Sequence, residues 1–301
     1  MAFVSLLLWG VSALLGVGDY NLLPDVLGLG YWGSRLLSLF LYAAVAFMLG
    51  SLYILERRAQ WLPALFLWLS AVFMVVQPYY ATALSLLLLL LSLMRLFQCV
   101  ADKGQECTLF GAFALLSFSS LLFVQFALLL PLFIAYMSIS RIARGRNFLA
   151  AFLGVVTPYW LLFGAVYAFP SAGVLLLPFK ASLAQTAFFV GGEFALSFYV
   201  WLAIEVAVWL VATYVYVSSF YPAKPLLRRR FLLIILLNAY LMLLSFAIPH
   251  NFLLFLVWRM PGVAIMSSYL FAMKVTRLSN ICFILLNAAW LSIAFICLWN
   301  G

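Results

Sequence analysis

Apolar runs of 15–24 residues alternate with short polar breaks along nearly the whole chain, at 1–16, 35–55, 62–76, 81–98, 148–168, 196–219, 231–248, 252–273 and 281–299. About 20 apolar residues make an α-helix long enough to cross a hydrocarbon core of about 30 Å, so each run predicts a membrane-spanning helix. The stretch 109–139 fits less directly. As one helix its 31 residues would extend about 46 Å, whereas two short helices breaking near Ser119–Ser120 would form a shallow hairpin.

Charge placement separates these alternatives. With the hairpin, the loops Glu56–Arg58, Arg95–Glu106, Arg141–Arg146, Lys224–Arg230 and Lys274–Arg277 fall on one side and carry 13 of the 16 Lys and Arg. A single long helix would put Arg141–Arg146 and Lys224–Arg230 across the membrane from Arg57 and Arg58. Cytoplasmic loops concentrate Lys and Arg, so the hairpin is preferred and these loops are expected inside. The expected fold is all-α, a polytopic transmembrane bundle of about eleven spans with the N-terminus in and the C-terminus out. It forms one integral membrane domain over 1–301, with no soluble domain. The run Met1–Gly16 lacks a basic n-region and a small-x-small cleavage site and reads as a retained first span.

Composition closes off other classes. The chain is 69% hydrophobic and 8% charged with a mean hydropathy of +1.22, whereas soluble domains carry about 25% charged residues. The net charge of +9 reads as a topology signal with an attraction to anionic headgroups. Its residues are split among short juxtamembrane loops, so no nucleic-acid partner is expected. His250 is the single histidine, and no Cys-x-x-Cys pair or Gly-x-x-x-x-Gly-Lys loop occurs. Zinc proteases and ATPases are therefore disfavoured, and no metal or cofactor is expected. The Gly28-Leu-Gly-Tyr-Trp-Gly33 match has no strand before it, so its glycines are read as a turn. Cys99, Cys107, Cys282 and Cys297 imply no disulfide framework.

A few polar residues stand out. Glu205 and Arg259 lie nine and seven residues into their spans, both counted from the outer face, which places them at similar depths of about 10–14 Å. They form a candidate intramembrane polar pair, read either as a substrate or proton site or as a structural ion pair with Arg259 snorkelling beside Pro261. Gln125, Asn238 and Asn287 are expected to join helices by hydrogen bonds. In Thr157-Pro-Tyr-Trp160 the proline is expected to kink a span and the rings to mark the aromatic belt. On the outer face lie Asp19, Asp25 and Glu193, accompanied by Arg35 and Lys180. The longest outer loop, 169–195, is expected to hold a re-entrant or interfacial helix.

The segment Arg141-Ile-Ala-Arg-Gly-Arg-Asn-Phe-Leu-Ala-Ala-Phe-Leu-Gly154, running into Thr157-Pro158-Tyr159 after a hydrophobic hairpin, resembles an uncharacterised family of Bacteroidota polytopic inner-membrane proteins. That resemblance implies a bacterial inner-membrane location and no activity. The N-terminal layout, a first span, an acidic outer loop and then short spans, is similar to the membrane module of GT-C glycosyltransferases. This likeness implies a polyprenyl-phosphate-linked sugar as donor, Asp19 or Asp25 as catalytic base, and Arg35 or Lys180 as phosphate-binding candidates. The chain departs from that pattern in its short first loop, 17–34, and in having no large outer domain after it.

The sequence thus leaves enzyme and non-enzyme classes both open. The first expectation is a non-enzymatic membrane subunit or degenerate GT-C-like relative, acting with other membrane proteins and lipids in cell-envelope biogenesis. The alternative is an active glycosyltransferase at the outer leaflet. A transporter ranks third, because no internal repeat is evident. The topology is testable by thiol labelling from the outer face. Label is expected at His250→Cys or Asn251→Cys and at neither Arg144→Cys nor Leu226→Cys; label at Arg144→Cys would remove the hairpin and the eleven-span count together.

Overall fold

The computed structural model describes residues 30–51, 65–67, 69–70, 80–101, 105–184, 196–218, 225–248, 251–273, 283–284, 287–288 and 292. Their regular structure is helical throughout: α1 Gly30–Ser51, α2 Tyr80–Ala101, α3 Glu106–Leu122, α4 Leu130–Ile139, α5 Gly145–Ala168, α6 Leu177–Ala184, α7 Leu196–Ser218, α8 Pro225–Ala247 and α9 Phe252–Met273, with 3-10 turns at Val124–Leu129 and Pro170–Leu176. Trp32–Leu49, Tyr80–Ala101, Gly145–Ala168 and Pro225–Ala247 are long and apolar enough to cross a membrane, and three shorter apolar helices accompany them. The protein is a membrane-embedded helical bundle. The expected spans 1–16 and most of 62–76 and 281–299 lie outside the described residues.

The helices differ in which faces they bury, and this orders the bundle. A helix apolar on every side belongs in the interior. α9 has that character, and every described side chain from Asn251 to Tyr269 is buried. It packs on α7 and α8 and touches α2, while α2 packs on α1 and on α3, which in turn packs on α5. α5 is peripheral. Its buried residues are Asn147, Ala151, Gly154 and Pro158, a seam of mostly small side chains at i, i+4, i+7 and i+11, while Phe152, Trp160 and Tyr167 are exposed on the surface expected to meet lipid. Between helices already in an apolar solvent, small residues promote association by letting backbones approach. Gly154 is the tightest point, since a Cβ there would lie 2.6 Å from the Phe110 carbonyl oxygen of α3.

The stretch 109–139 folds back on itself. Phe113 and Phe133 meet edge to face at 5.9 Å, although 20 residues of unbroken helix would separate them by about 30 Å. The break is at Phe123, in extended backbone, and not at the expected Ser119–Ser120, which close the last turns of α3. Ser119 Oγ donates to Leu115 O and Ser120 Oγ to Ser117 O, so both hydroxyls are satisfied within the helix instead of competing with it. Ser120 Oγ also accepts from Tyr159 OH at 2.5 Å. This ties Tyr159 to α3, and α5 continues through Pro158 without interruption. Gly30 and Gly33, expected in a turn, lie in the first turn of α1.

One end of the bundle gathers the described basic loops. α4 closes with Arg141 N–H donating to Ser138 O and Ile142 N–H to Met137 O, with Arg141 at φ 58°. This is a Schellman cap with arginine in the left-handed position that glycine normally takes. Arg229, near the start of α8, donates Nη1–H to Ser140 O at 3.2 Å, bringing a cation to the negative end of α4. Arg230 lies over the Phe97 ring of α2 at 5.8 Å. The Arg141–Arg146 loop and the Arg228–Arg230 segment therefore share one end of the bundle.

The α3–α5 seam gives a stability prediction. Gly154→Ala pushes a methyl group against backbone and is expected to destabilise by about 1–3 kcal/mol. Gly164→Ala, with nothing within 4 Å of its Cβ position, is expected to keep or raise stability. Thermal unfolding of the two variants in detergent distinguishes them.

Candidate functional site

α7 turns Leu202, Glu205, Ala212 and Tyr216 inward, while Leu210, Val211, Tyr214 and Val217 are exposed. Its inner face packs against α9, and two contacts fix the register. Arg259 Nη1 lies 3.1 Å from Glu205 Oε2, and the Tyr216 and Tyr269 rings meet at 5.9 Å. Advancing 11 residues on α7 and 10 on α9 leads from one contact to the next, so the two helices run parallel.

Both side chains of the pair are fully buried. Their approach satisfies the distance for an ion pair, yet neither carboxylate oxygen and none of the three guanidinium nitrogens makes a hydrogen bond. The contact lies off the line that a hydrogen bond requires. Burial strips water from two charges, and attraction offsets that loss only where the geometry is good and the remaining lone pairs and N–H groups are occupied. This pair is therefore a weak source of stability. Ionisable residues held inside a membrane bundle without structural gain are candidates for function.

On the Trp258 and Pro261 side of α9 the interior is tightly filled. Trp258, adjacent to Arg259, donates Nε1–H to Ser85 Oγ at 3.2 Å and packs against Phe126, Phe255 and Phe123 with centroids 3.7, 5.5 and 5.9 Å away. Pro261 follows within the same helix and has no N–H for the carbonyl one turn back. Gly262 admits the Asn238 side chain of α8 so closely that a methyl group would overlap its amide. A cavity of about 20 Å³ between α2, α8 and α9 is lined by apolar side chains including Leu86, Leu90, Phe97 and Ile265. It lies on the Trp258 and Pro261 side of α9, and Glu205 does not line it.

The other sequence candidates are distributed differently. Arg35 is fully buried in the second turn of α1, and Lys180 is exposed on α6. Asp19, Asp25 and Glu193 lie outside the described residues. Of the three amides expected to bridge helices, Gln125 does so, donating Nε2–H to Ser182 O. Asn238 and Asn287 instead donate to Ile234 O and Phe283 O within their own helices. Among the described residues no group of three His, Cys, Asp or Glu is placed to hold a metal ion, and the buried Cys99 thiol donates to Gln105 O at 3.7 Å. The Trp258–Ser85 contact, 173 residues apart in sequence, has no local sequence signal. No family model, curated protein or solved structure matches the chain.

The pair makes its own prediction. Glu205→Ala or Arg259→Ala alone leaves one buried charge uncompensated and is expected to cost about 3–5 kcal/mol, whereas Glu205→Leu with Arg259→Met is expected to be nearly neutral or stabilising. Reversible unfolding in detergent or bicelles measures all three. A double variant as unstable as the sum of the single ones would show the two residues acting independently.

Proposed function

We propose that the chain is a multi-pass subunit of the bacterial inner membrane, without catalysis of its own, that acts with membrane partners in envelope biogenesis. In this reading it has about eleven spans, with the N-terminus inside and the C-terminus outside. The N-terminal part would be a degenerate relative of the GT-C membrane module. The observation that carries the reading is the filled centre. α9 is enclosed by protein along its described length, Trp258 occupies the space beside it among three phenylalanine rings, and the cavity next to it is apolar and about the size of one water molecule. A lipid-linked donor needs a far larger cleft, since ligand sites typically measure about 300–1,000 Å³.

The test is genetic and uses the two first-loop carboxylates. A deletion strain carrying a stably expressed Asp19→Asn/Asp25→Asn chain is expected to be complemented in full. If one of them were a catalytic base, its loss would lower turnover by about 10²–10⁴-fold. Failed complementation at normal protein level would overturn the subunit reading in favour of outer-leaflet glycosyl transfer.

A further inference from the structure

The Glu205–Arg259 pair does not exhaust the unsatisfied polarity of α7. One turn further along, Trp209 Nε1 is buried without a hydrogen bond, and a turn beyond that so is Thr213 Oγ1. Glu205, Trp209 and Thr213 are spaced i, i+4 and i+8, so they form one stripe along the helix. The stripe runs beside Ala212 and Tyr216 on the face turned to α9. Tyr216 ends it, its hydroxyl donating to the Arg228 carbonyl at 3.1 Å, where the basic end of the bundle begins. From Glu205 to Tyr216 the rise is about 16 Å.

Buried polar groups are satisfied in the great majority of native structures, by protein or by ordered water. Here a carboxylate, a guanidinium, an indole N–H and a hydroxyl along one seam all lack a hydrogen bond. Elsewhere some such groups are paired across helices, Trp258 Nε1 with Ser85 Oγ, Ser92 Oγ with Ala112 O and Gln125 Nε2 with Ser182 O, and others, such as Tyr42 OH and Ser117 Oγ, make no hydrogen bond. On α7 the unmade bonds are aligned in one stripe beside a buried ion pair. A water bridging such groups needs two to four polar partners, and the stripe supplies partners of both kinds, donors on Trp209 and Arg259 and acceptors on Glu205 and Thr213.

We propose that the α7–α9 seam holds a file of water molecules that runs from the basic end near Arg228 to the Glu205–Arg259 pair, so that Glu205 exchanges protons with that side of the membrane. Water completes the hydrogen bonds that the ion pair leaves unmade, and the file gives the buried carboxylate a route to solvent. Tyr216, at its mouth, sits where the file meets the Arg228 backbone. This assignment goes beyond the subunit reading and does not depend on whether the chain acts with a partner.

The indole N–H of Trp209 reports the file directly. Full-length protein in lipid nanodiscs or micelles, with the chain's ten tryptophans labelled at the indole nitrogen, is transferred to D2O, and the Trp209 and Trp258 signals are identified by Trp209→Phe and Trp258→Phe. The Trp209 indole hydrogen is expected to exchange at least about 100-fold faster than that of Trp258, while the backbone amides of 205–213 stay protected. Two results would overturn the proposal: equal protection of the two indoles, which means a dry seam, or exchange of Trp209 together with those amides, which means local opening of α7.

Discussion

Inside a membrane no water is at hand to pair a backbone N–H or carbonyl, so any departure from helix must be answered by another part of the same chain. The break at Phe123 is where this constraint acts most visibly. The Val124 N–H that the break releases donates to Ser182 Oγ at 3.1 Å, and the Gln125 amide reaches the Ser182 carbonyl at 3.2 Å. Ser182 Oγ itself donates back to Phe179 O, so one residue of α6 serves three groups. α6 is eight residues long, too short to cross a bilayer. Its position against the hairpin gives it a structural role, since the hairpin supplies the packing and α6 the hydrogen bonds.

The same constraint separates the two halves of the interior. The Trp258 indole N–H is paired with Ser85 Oγ, and aromatic rings pack around it. On the face of α9 turned to α7, the Glu205–Arg259 ion pair and the Thr213 hydroxyl make no hydrogen bonds. A bundle stabilised only by packing would place apolar residues there, because a well-packed apolar pair is often as stable as a buried ion pair or more so. The unmade hydrogen bonds of Glu205, Arg259, Trp209 and Thr213 thus gather along the α7–α9 seam.

Much of the helical framework is legible in the sequence, because run length and hydropathy are local properties. The spans expected at 81–98, 196–219 and 252–273 correspond to α2, α7 and α9 within about three residues at each end. The fold-back of 109–139 is legible through its length and the arginines beyond it. Its exact break is not, because Ser119 and Ser120 look like breakers until their hydroxyls are seen bonded to α3. Asn238 and Asn287 failed as helix bridges for a related reason: an amide can satisfy itself on the carbonyl four residues back, and sequence does not say which partner wins. The common depth of Glu205 and Arg259 follows from counting residues along two spans. That their contact leaves every hydrogen bond unmade depends on side-chain angles that no periodicity encodes.

The distance in sequence between the two halves of the Phe123 junction has a temporal meaning. Val124 and Ser182 are 58 residues apart, and a ribosome adding about 5–20 residues per second needs roughly 3–12 s to deliver the serine after the break has been made. For that interval the hairpin is a pair of short helices with an open amide at its tip. The junction is therefore completed only when α6 arrives, well after the hairpin itself has been synthesised.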